Sequence, residues 1–271
     1  MLSILNNITA ITAENQLNMT NAQLQKTLQQ LASGSRINSG ADDAAGLSIA
    51  NGLNANVAAL TQSAHNATDG VGVLQTADGA LSQASALLNR ATTLATEASN
   101  GTIGTSQFTA LDNEYQSLLT ELTNISGSTN YNGNAVFGTA LNIYTSDGTA
   151  GGSVTYAVTP AKIDSTTLAL NATKLDTTAH AQAALTAITA AINTVSGERG
   201  TLGATVEQLQ AASNVVSTET QNLSAAANNI MSADVGQTVA QMTQYNVLQQ
   251  TGMAALQQSN QAQQSVLKLL Q

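Results

Sequence analysis

The sequence predicts a mainly α protein: an elongated antiparallel helical bundle, or coiled coil, with a small β-hairpin patch at the chain midpoint. Three observations predict it. Apolar residues recur every seven positions through two long stretches, 50–88 and 188–230. A single Pro stands among 271 residues, so almost nothing forbids a helix from running on. Asn-Gly, Asp-Gly and Gly-Gly pairs, with short alternating runs between them, are concentrated at 130–170. A hydrophobic period of about 3.5 residues held over such lengths implies helices packed on helices.

In chain order, the first element is an amphipathic, nearly uncharged helix over 1–33. It carries Leu5, Ile8, Ile11, Leu17, Leu24, Leu28 and Leu31 at helical spacing, with Glu14 and Lys26 as its charges. Ser33-Gly34 ends it, since Gly enters the left-handed conformation of a helix C-terminus without strain. A second helix over 46–99 places Leu53, Leu60, Ala67, Leu74, Leu81 and Leu88 in one heptad column. Ala50, Val57, Ala64, Val71, Asp78 and Ser85 form the other. A third helix over 106–126 carries Phe108, Leu111, Tyr115, Leu118, Leu122 and Ile125.

The character then changes. Runs at 141–144 and 154–158, punctuated by Asn132-Gly133, Asp147-Gly148 and Gly151-Gly152, read as hairpins with tight turns. So small a patch leans on the helices rather than folding alone. Over 178–231 the heptad returns in Ile188, Val195, Leu202, Leu209, Val216, Leu223 and Ile230. Gly197, Gly200 and Gly203 around Arg199 mark a place for a bend. Asp78 and Arg199 fall on seam positions, where a polar residue sets register.

Composition excludes several functions. Seven basic residues against 16 acidic give a net charge of −9, so the clustered cations that displace phosphate counterions are missing and nucleic acid is not a partner. No Cys is present, which rules out disulfides and thiolate metal sites. His65 and His180 stand far apart, and no catalytic triad, phosphate loop or carboxylate cleft is discernible, so no enzymatic activity, metal or cofactor is expected. No apolar run approaches the roughly 18 residues of a membrane span, so no membrane insertion is expected. The start, MLSILNNITA, lacks the basic and apolar regions of a secretory signal; this leaves a cytoplasmic protein or a Sec-independent export route.

The two ends mirror each other. From 232 to 271 the charges are Asp234 and Lys268, and eleven Gln line one face. The other face carries Val235, Val239, Met242, Leu248, Leu256, Val266 and Leu270. A helix whose outer face meets water usually carries Lys and Glu there. Gln, Asn, Ser and Thr suit a face buried against further copies, where an unpaired charge is costly and an amide exchanges hydrogen bonds. The expected subunit interface is therefore Leu5, Ile8, Ile11, Leu24, Leu28 and Leu31 with the seven apolar residues of the C-terminal segment, together with Arg36, Asp42 and Asp43. Repeated head-to-tail use of such faces gives an open helical filament. In the turn after the first helix, Arg36 is expected to pair with Asp42 or Asp43, or to reach a neighbouring subunit. The two Asp residues favour the N-terminus of the helix that begins near Ala44.

Ser33-Gly34-Ser35-Arg36-Ile37-Asn38-Ser39-Gly40-Ala41-Asp42-Asp43-Ala44-Ala45-Gly46-Leu47-Ser48-Ile49-Ala50 resembles the N-terminal hallmark of the bacterial flagellins. Asn222-Leu223-Ser224-Ala225-Ala226, Val247-Leu248-Gln249-Gln250 and the close at 261–270 resemble their C-terminus, and Arg199-Gly200-Thr201-Leu202-Gly203-Ala204 and Tyr131-Asn132-Gly133 match further landmarks. The resemblance implies a structural subunit that self-assembles into the flagellar filament for motility. It implies segments 1–40 and 232–271 as the inner filament core, 41–137 and 178–231 as the helical outer core, and 138–177 as a short β-rich, surface-exposed variable segment. The implied partners are other copies, an export chaperone and the type III export apparatus, and the filament cap and junction proteins. The implied location is extracellular. A host Toll-like receptor is implied at Arg90, Leu94 and Glu114, although Ala91-Thr92-Thr93 departs from the family's more charged stretch. The hook–filament junction protein shares the N-terminal pattern but usually has Pro after the Asp pair, where Ala44 stands here. A secreted coiled-coil adhesin or tip protein would lack the paired terminal motifs.

Overall fold

A computed structural model describes residues 7–149 and 151–269. Five helices account for most of them: α1 (Ile8–Ser33), α2 (Ala44–Ala98), α3 (Thr105–Ser128), α4 (Thr178–Met231) and α5 (Val235–Leu269). Two small antiparallel pairs lie between α3 and α4: β1 (Asn130–Tyr131) with β2 (Asn134–Ala135), and β3 (Leu141–Ser146) with β4 (Ser153–Val158). The mainly α class with a midpoint β patch is thus as the sequence predicts. The glycines at 197, 200 and 203 leave α4 uninterrupted, and a Cβ at any of them would meet open space.

The helix starts follow from local side chains. Asn7 accepts from Ala10 N at 3.1 Å, Asp43 from Gly46 N at 2.8 Å, Asp234 from Gln237 N at 3.1 Å and Thr177 from His180 N at 3.2 Å. Each satisfies an amide that the first helical turn leaves without a partner. Gly34 closes α1 in the left-handed region, φ 68°.

The chain forms two compact units, one of 1–55 with 222–271, the other of 56–221. These limits lie inside α2 and α4, so the terminal unit is larger than the 1–40 and 232–271 that the family resemblance implies.

In the 56–221 unit, Leu60, Ala67, Leu74, Leu81 and Leu88 are buried as expected. The second buried column differs from the expected one. It is Ser63, Gly70, Ala77, Ala84, Ala91 and Ala98, one residue before the predicted Ala64, Val71, Asp78 and Ser85, which are only half-buried. α4 repeats this, with Ala184 and Ala191 buried beside Ile188 and Val195. The α2 seam is built of Leu and Ala, and its Val57 and Val71 sit at the margin.

The hairpin of β3 and β4 is seated on α2. Ile143 lies over Gly70, where an added Cβ would fall 2.4 Å from Ile143 Cδ1. Ser63 Oγ donates to Ser146 O and accepts from Ser146 N, both at 2.7 Å, and Asn66 Nδ2 donates to Tyr144 O at 2.9 Å. Its connection spans 147–152 rather than a two-residue turn; the tight turn is Asn132-Gly133, both at positive φ.

Segment 138–177 is only partly a surface feature. Ile163, Leu168, Leu170 and Leu175 are core residues. The loop that carries them is fastened to α3: Leu175 N donates to Asp112 Oδ1 at 2.7 Å, Gln116 Nε2 to Thr173 O at 3.0 Å, and Ile163 N to Ser126 Oγ at 3.2 Å. The buried Tyr115 hydroxyl meets Thr173 Oγ1, and burial raises its pKa.

Candidate functional site

In the terminal unit, α1 and α5 run antiparallel. Asn7 lies beside Ser259 and Gln263, Leu17 beside Gly252, and Asn21 beside Gln249. Their shared seam is half polar. Gln249 Nε2 donates to Asn21 Oδ1 at 2.8 Å, and Asn7 Nδ2 to Gln263 Oε1 at 3.1 Å. Thr20, Thr27 and Thr238 are the buried polar residues of the pair, and all three hydroxyls turn back to a carbonyl four residues earlier.

This divides the expected interface residues. Leu24, Leu31, Met242 and Leu256 are half-buried in the heptad columns of Leu17, Asn21 and Gln249. They close the pair on itself. Ile8, Ile11, Leu28, Val235, Val239 and Leu248 point outward, at 68%, 49%, 45%, 58%, 40% and 43% exposed. Met19, Val247 and Met253 join them and escaped the sequence reading. Leu5, Leu270 and the side chain of Val266 lie outside the described residues. The pair therefore mixes Leu and Met with Thr, Asn and Gln in its seam, and it leaves further large apolar side chains on a surface of amides and hydroxyls where a helix pair that ends in water would carry Lys and Glu.

The connection between α1 and α2 corrects the expected ion pair. Asp42 pairs with Lys26, not Arg36, at 2.8 Å. It also accepts from Asn38 N and from Ser39 N and Oγ. The Lys26 ammonium, with these donors, holds its carboxyl at about 2. Arg36 turns to the end of α4: its Nη2 donates to Ile230 O at 2.9 Å and its backbone N–H to Met231 O at 2.6 Å. Gln30 Nε2 donates to Arg36 O at 2.8 Å, and Ala233 N to Gly34 O at 3.0 Å.

In the other unit, Arg90 and Glu114 form an exposed pair through one carboxylate oxygen, at 2.6 and 2.9 Å. Leu94, grouped with them at the sequence level, is 1% exposed and belongs to the core. It offers no surface to a partner. Asp78 and Arg199 prove to be partners of each other, Nε to Oδ1 at 2.7 Å and Nη2 to Oδ2 at 3.2 Å, which raises the arginine's pKa. His65 is an exposed helix residue, while His180 Nδ1 meets Asp176, whose pKa it lowers. Among the described residues no cluster of metal-ligating side chains occurs, and no helix is long and apolar enough to cross a membrane.

Comparison with known proteins gives matches over both helical regions. Residues 4–140 match the family described as bacterial flagellin N-terminal helical region, and residues 185–270 match the bacterial flagellin C-terminal helical region. The chain is 32% identical over 266 residues to a flagellin of Halalkalibacterium halodurans, covering 97% of this chain and 98% of that one. It is 30% identical over 305 residues to a flagellin of Bacillus subtilis, covering 99% and 100%. The crystal structure of Bacillus cereus flagellin matches with a TM-score of 0.50 and 33% identity, over 60% of this chain and 94% of that one.

Proposed function

The chain belongs to the bacterial flagellin family, structural and non-enzymatic subunits that self-assemble into the flagellar filament, and from that premise we propose that the outward stripes of α1 and α5 are the surfaces on which the subunits join. The observation that carries this reading is the set of large apolar side chains left outside the pair, Ile8, Ile11, Leu28, Val235, Val239 and Leu248, among exposed amides and hydroxyls with almost no charge. Each apolar side chain fully buried stabilises by about 1.5–3 kcal/mol. A stripe of them repeated in every subunit is a strong drive to polymerise, and its lack of charge removes the desolvation cost that would oppose it.

The short β patch belongs to the other unit, and the large outer domains of longer flagellins have no counterpart in 138–177. Export as an unfolded chain through the flagellar type III apparatus, with a chaperone on the terminal segments, suits ends that order on assembly. Cap and junction proteins would meet the same stripes at the filament ends. Recognition by a host Toll-like receptor would rest on the exposed Arg90 and Glu114, with Leu94 supporting their helices from the core. The test is removal of 232–271. The remaining chain should be soluble, helical and unable to form filaments; if it still assembles into normal filaments, the terminal stripes are not the joining surfaces.

A further inference from the structure

The strongest unexplained feature of the terminal unit is Arg36. It is an exposed residue with no carboxylate partner among the described residues, yet all three of its polar parts are engaged. The guanidinium holds Ile230 O, the backbone N–H holds Met231 O, and the carbonyl accepts from Gln30 of α1. Ile230 and Met231 are the last two residues of α4, whose final carbonyls have no partner inside the helix. A cation there also meets the negative end of the helix dipole. Around it the two connections are zipped together, by Ala233 N on Gly34 O and by the antiparallel bridge between Ser35 and Ser232. Lys26 of α1 completes the enclosure by holding Asp42. α1 leaves this junction through residues 34–36 and α5 through 232–234, 194 residues away along the chain from Arg36 to Ile230.

We propose that Arg36 is a positioning residue for assembly: a clasp that fixes the axial register of α1 against α5, and so how the outward apolar side chains of the two helices, on either side of their seam, line up for neighbouring copies. The seam between the helices does not set that register by itself. It mixes Thr, Asn, Gln and Ala with Leu, Met242 and Tyr245, and amide pairs such as Asn21–Gln249 find equivalents a turn away. The clasp is geometrically particular, because a bidentate use of one residue's side chain and main chain on two consecutive carbonyls admits one alignment. A register slip of one turn would displace Val235, Val239 and Leu248 relative to Ile8, Ile11 and Leu28 by about 5.4 Å. The stripe would stay apolar but no longer match that of a neighbouring copy.

The inference rests on the outward stripes being the joining surfaces, and the experiment separates the two. Arg36→Ala, Arg36→Lys, Gln30→Ala and Leu248→Lys are purified as full chains. Each is compared with the parent by circular dichroism of the monomer, by sedimentation after seeded polymerisation, and by filament twist in electron micrographs. Arg36→Ala should keep its helicity and yield filaments of altered twist, whether or not their amount falls. Gln30→Ala should shift the same readouts more weakly, and Arg36→Lys, which keeps one donor for Ile230 O, should recover most of the parent behaviour. A subunit that was merely less stable would give fewer filaments of unchanged twist. Arg36→Ala filaments of parental twist overturn the clasp, and so does a loss of monomer helicity, since Arg36 would then hold the fold and not the register. If Leu248→Lys polymerises normally, it is the stripe reading that fails; if Leu248→Lys is blocked while Arg36→Ala is normal, the clasp alone fails.

Discussion

Leu248→Lys against Thr149→Lys is the sharpest quantitative test of the outward stripe. Leu248 is 43% exposed on α5, so rather more than half of its burial is already achieved within the chain. Full burial of a Leu side chain stabilises by about 1.5–3 kcal/mol, which leaves roughly 1 kcal/mol to be gained when a second copy covers the remainder. Lys forfeits that gain and brings an ammonium whose desolvation costs several kcal/mol even after relaxation. The assembly free energy should therefore weaken by at least about 3 kcal/mol per subunit, and each 1.4 kcal/mol is a factor of ten in an equilibrium constant. The critical concentration should rise about a hundredfold or more. Leu248→Ala, which removes the gain without adding a charge, should raise it roughly fivefold by the same arithmetic. Thr149 sits in the exposed 147–152 connection and donates to Asp147 Oδ1 at 2.8 Å. Its replacement by Lys disturbs a surface loop, typically worth within about 0.5 kcal/mol. Pelleting after a seeded assay, run as a concentration series, reads all three. Equal critical concentrations for Leu248→Lys and Thr149→Lys would show that α5 presents no buried contact in the filament.

Three further outcomes are expected. Because the Asp42 carboxyl is held at about 2 instead of 3.8, chiefly by Lys26, its contribution is complete above about pH 4 and lost as pH falls from 3.8 towards 2; Lys26→Met should flatten the acid-unfolding curve of the terminal unit in that window, followed by circular dichroism, and an unchanged curve would contradict the pairing. Tyr115→Phe should lower the unfolding free energy by about 0.5–1.5 kcal/mol, the net worth of its bond to Thr173, with no effect on assembly; a thermal melt within error of the parent would count against that bond. Asp78→Ala should cost no more than about 1 kcal/mol, because both side chains of the Asp78–Arg199 pair are more than a third exposed, and a loss of several kcal/mol in denaturant titration would show a buried role.

How far the sequence carries is visible residue by residue. The helices and several of their ends are legible, because a Leu every seven positions and the Asn, Asp or Gly at positions 7, 34, 43 and 234 act locally. Gly34, Asp43 and Asp234 perform the roles their residue types suggest. The second column of the α2 core was not legible, since Ala77, Ala84 and Ala91 are too common in this chain to stand out and Val71 looked the better candidate. The partner of Arg36 could not be found from spacing at all. Proximity along the chain favours Asp42, but the carbonyls of Ile230 and Met231 are backbone groups and leave no mark in a sequence. The same holds for Leu94: its neighbours Arg90 and Glu114 suggest a surface, whereas only the packing reveals it as core. The amphipathic ends were read correctly as apolar and chargeless, but which apolar residues face the partner helix and which face outward depends on the antiparallel pairing of α1 and α5.

That pairing explains why a chain would keep amides in a seam and valines outside it. A terminal pair with a fully apolar seam and a charged exterior would be stable alone and have nothing to offer a neighbour. Here the interior contributes little: Thr20, Thr27 and Thr238 satisfy themselves on their own helices, and Asn7, Asn21, Gln249 and Gln263 trade bonds they could equally make with water. Ordering the 26 residues of α1 and the 35 of α5 costs conformational entropy at every position. The surface that offsets it is the one left exposed in the single chain. Stabilisation of the ends and growth of the filament are then coupled, and the clasp at Arg36 acts on both by deciding where each helix must begin.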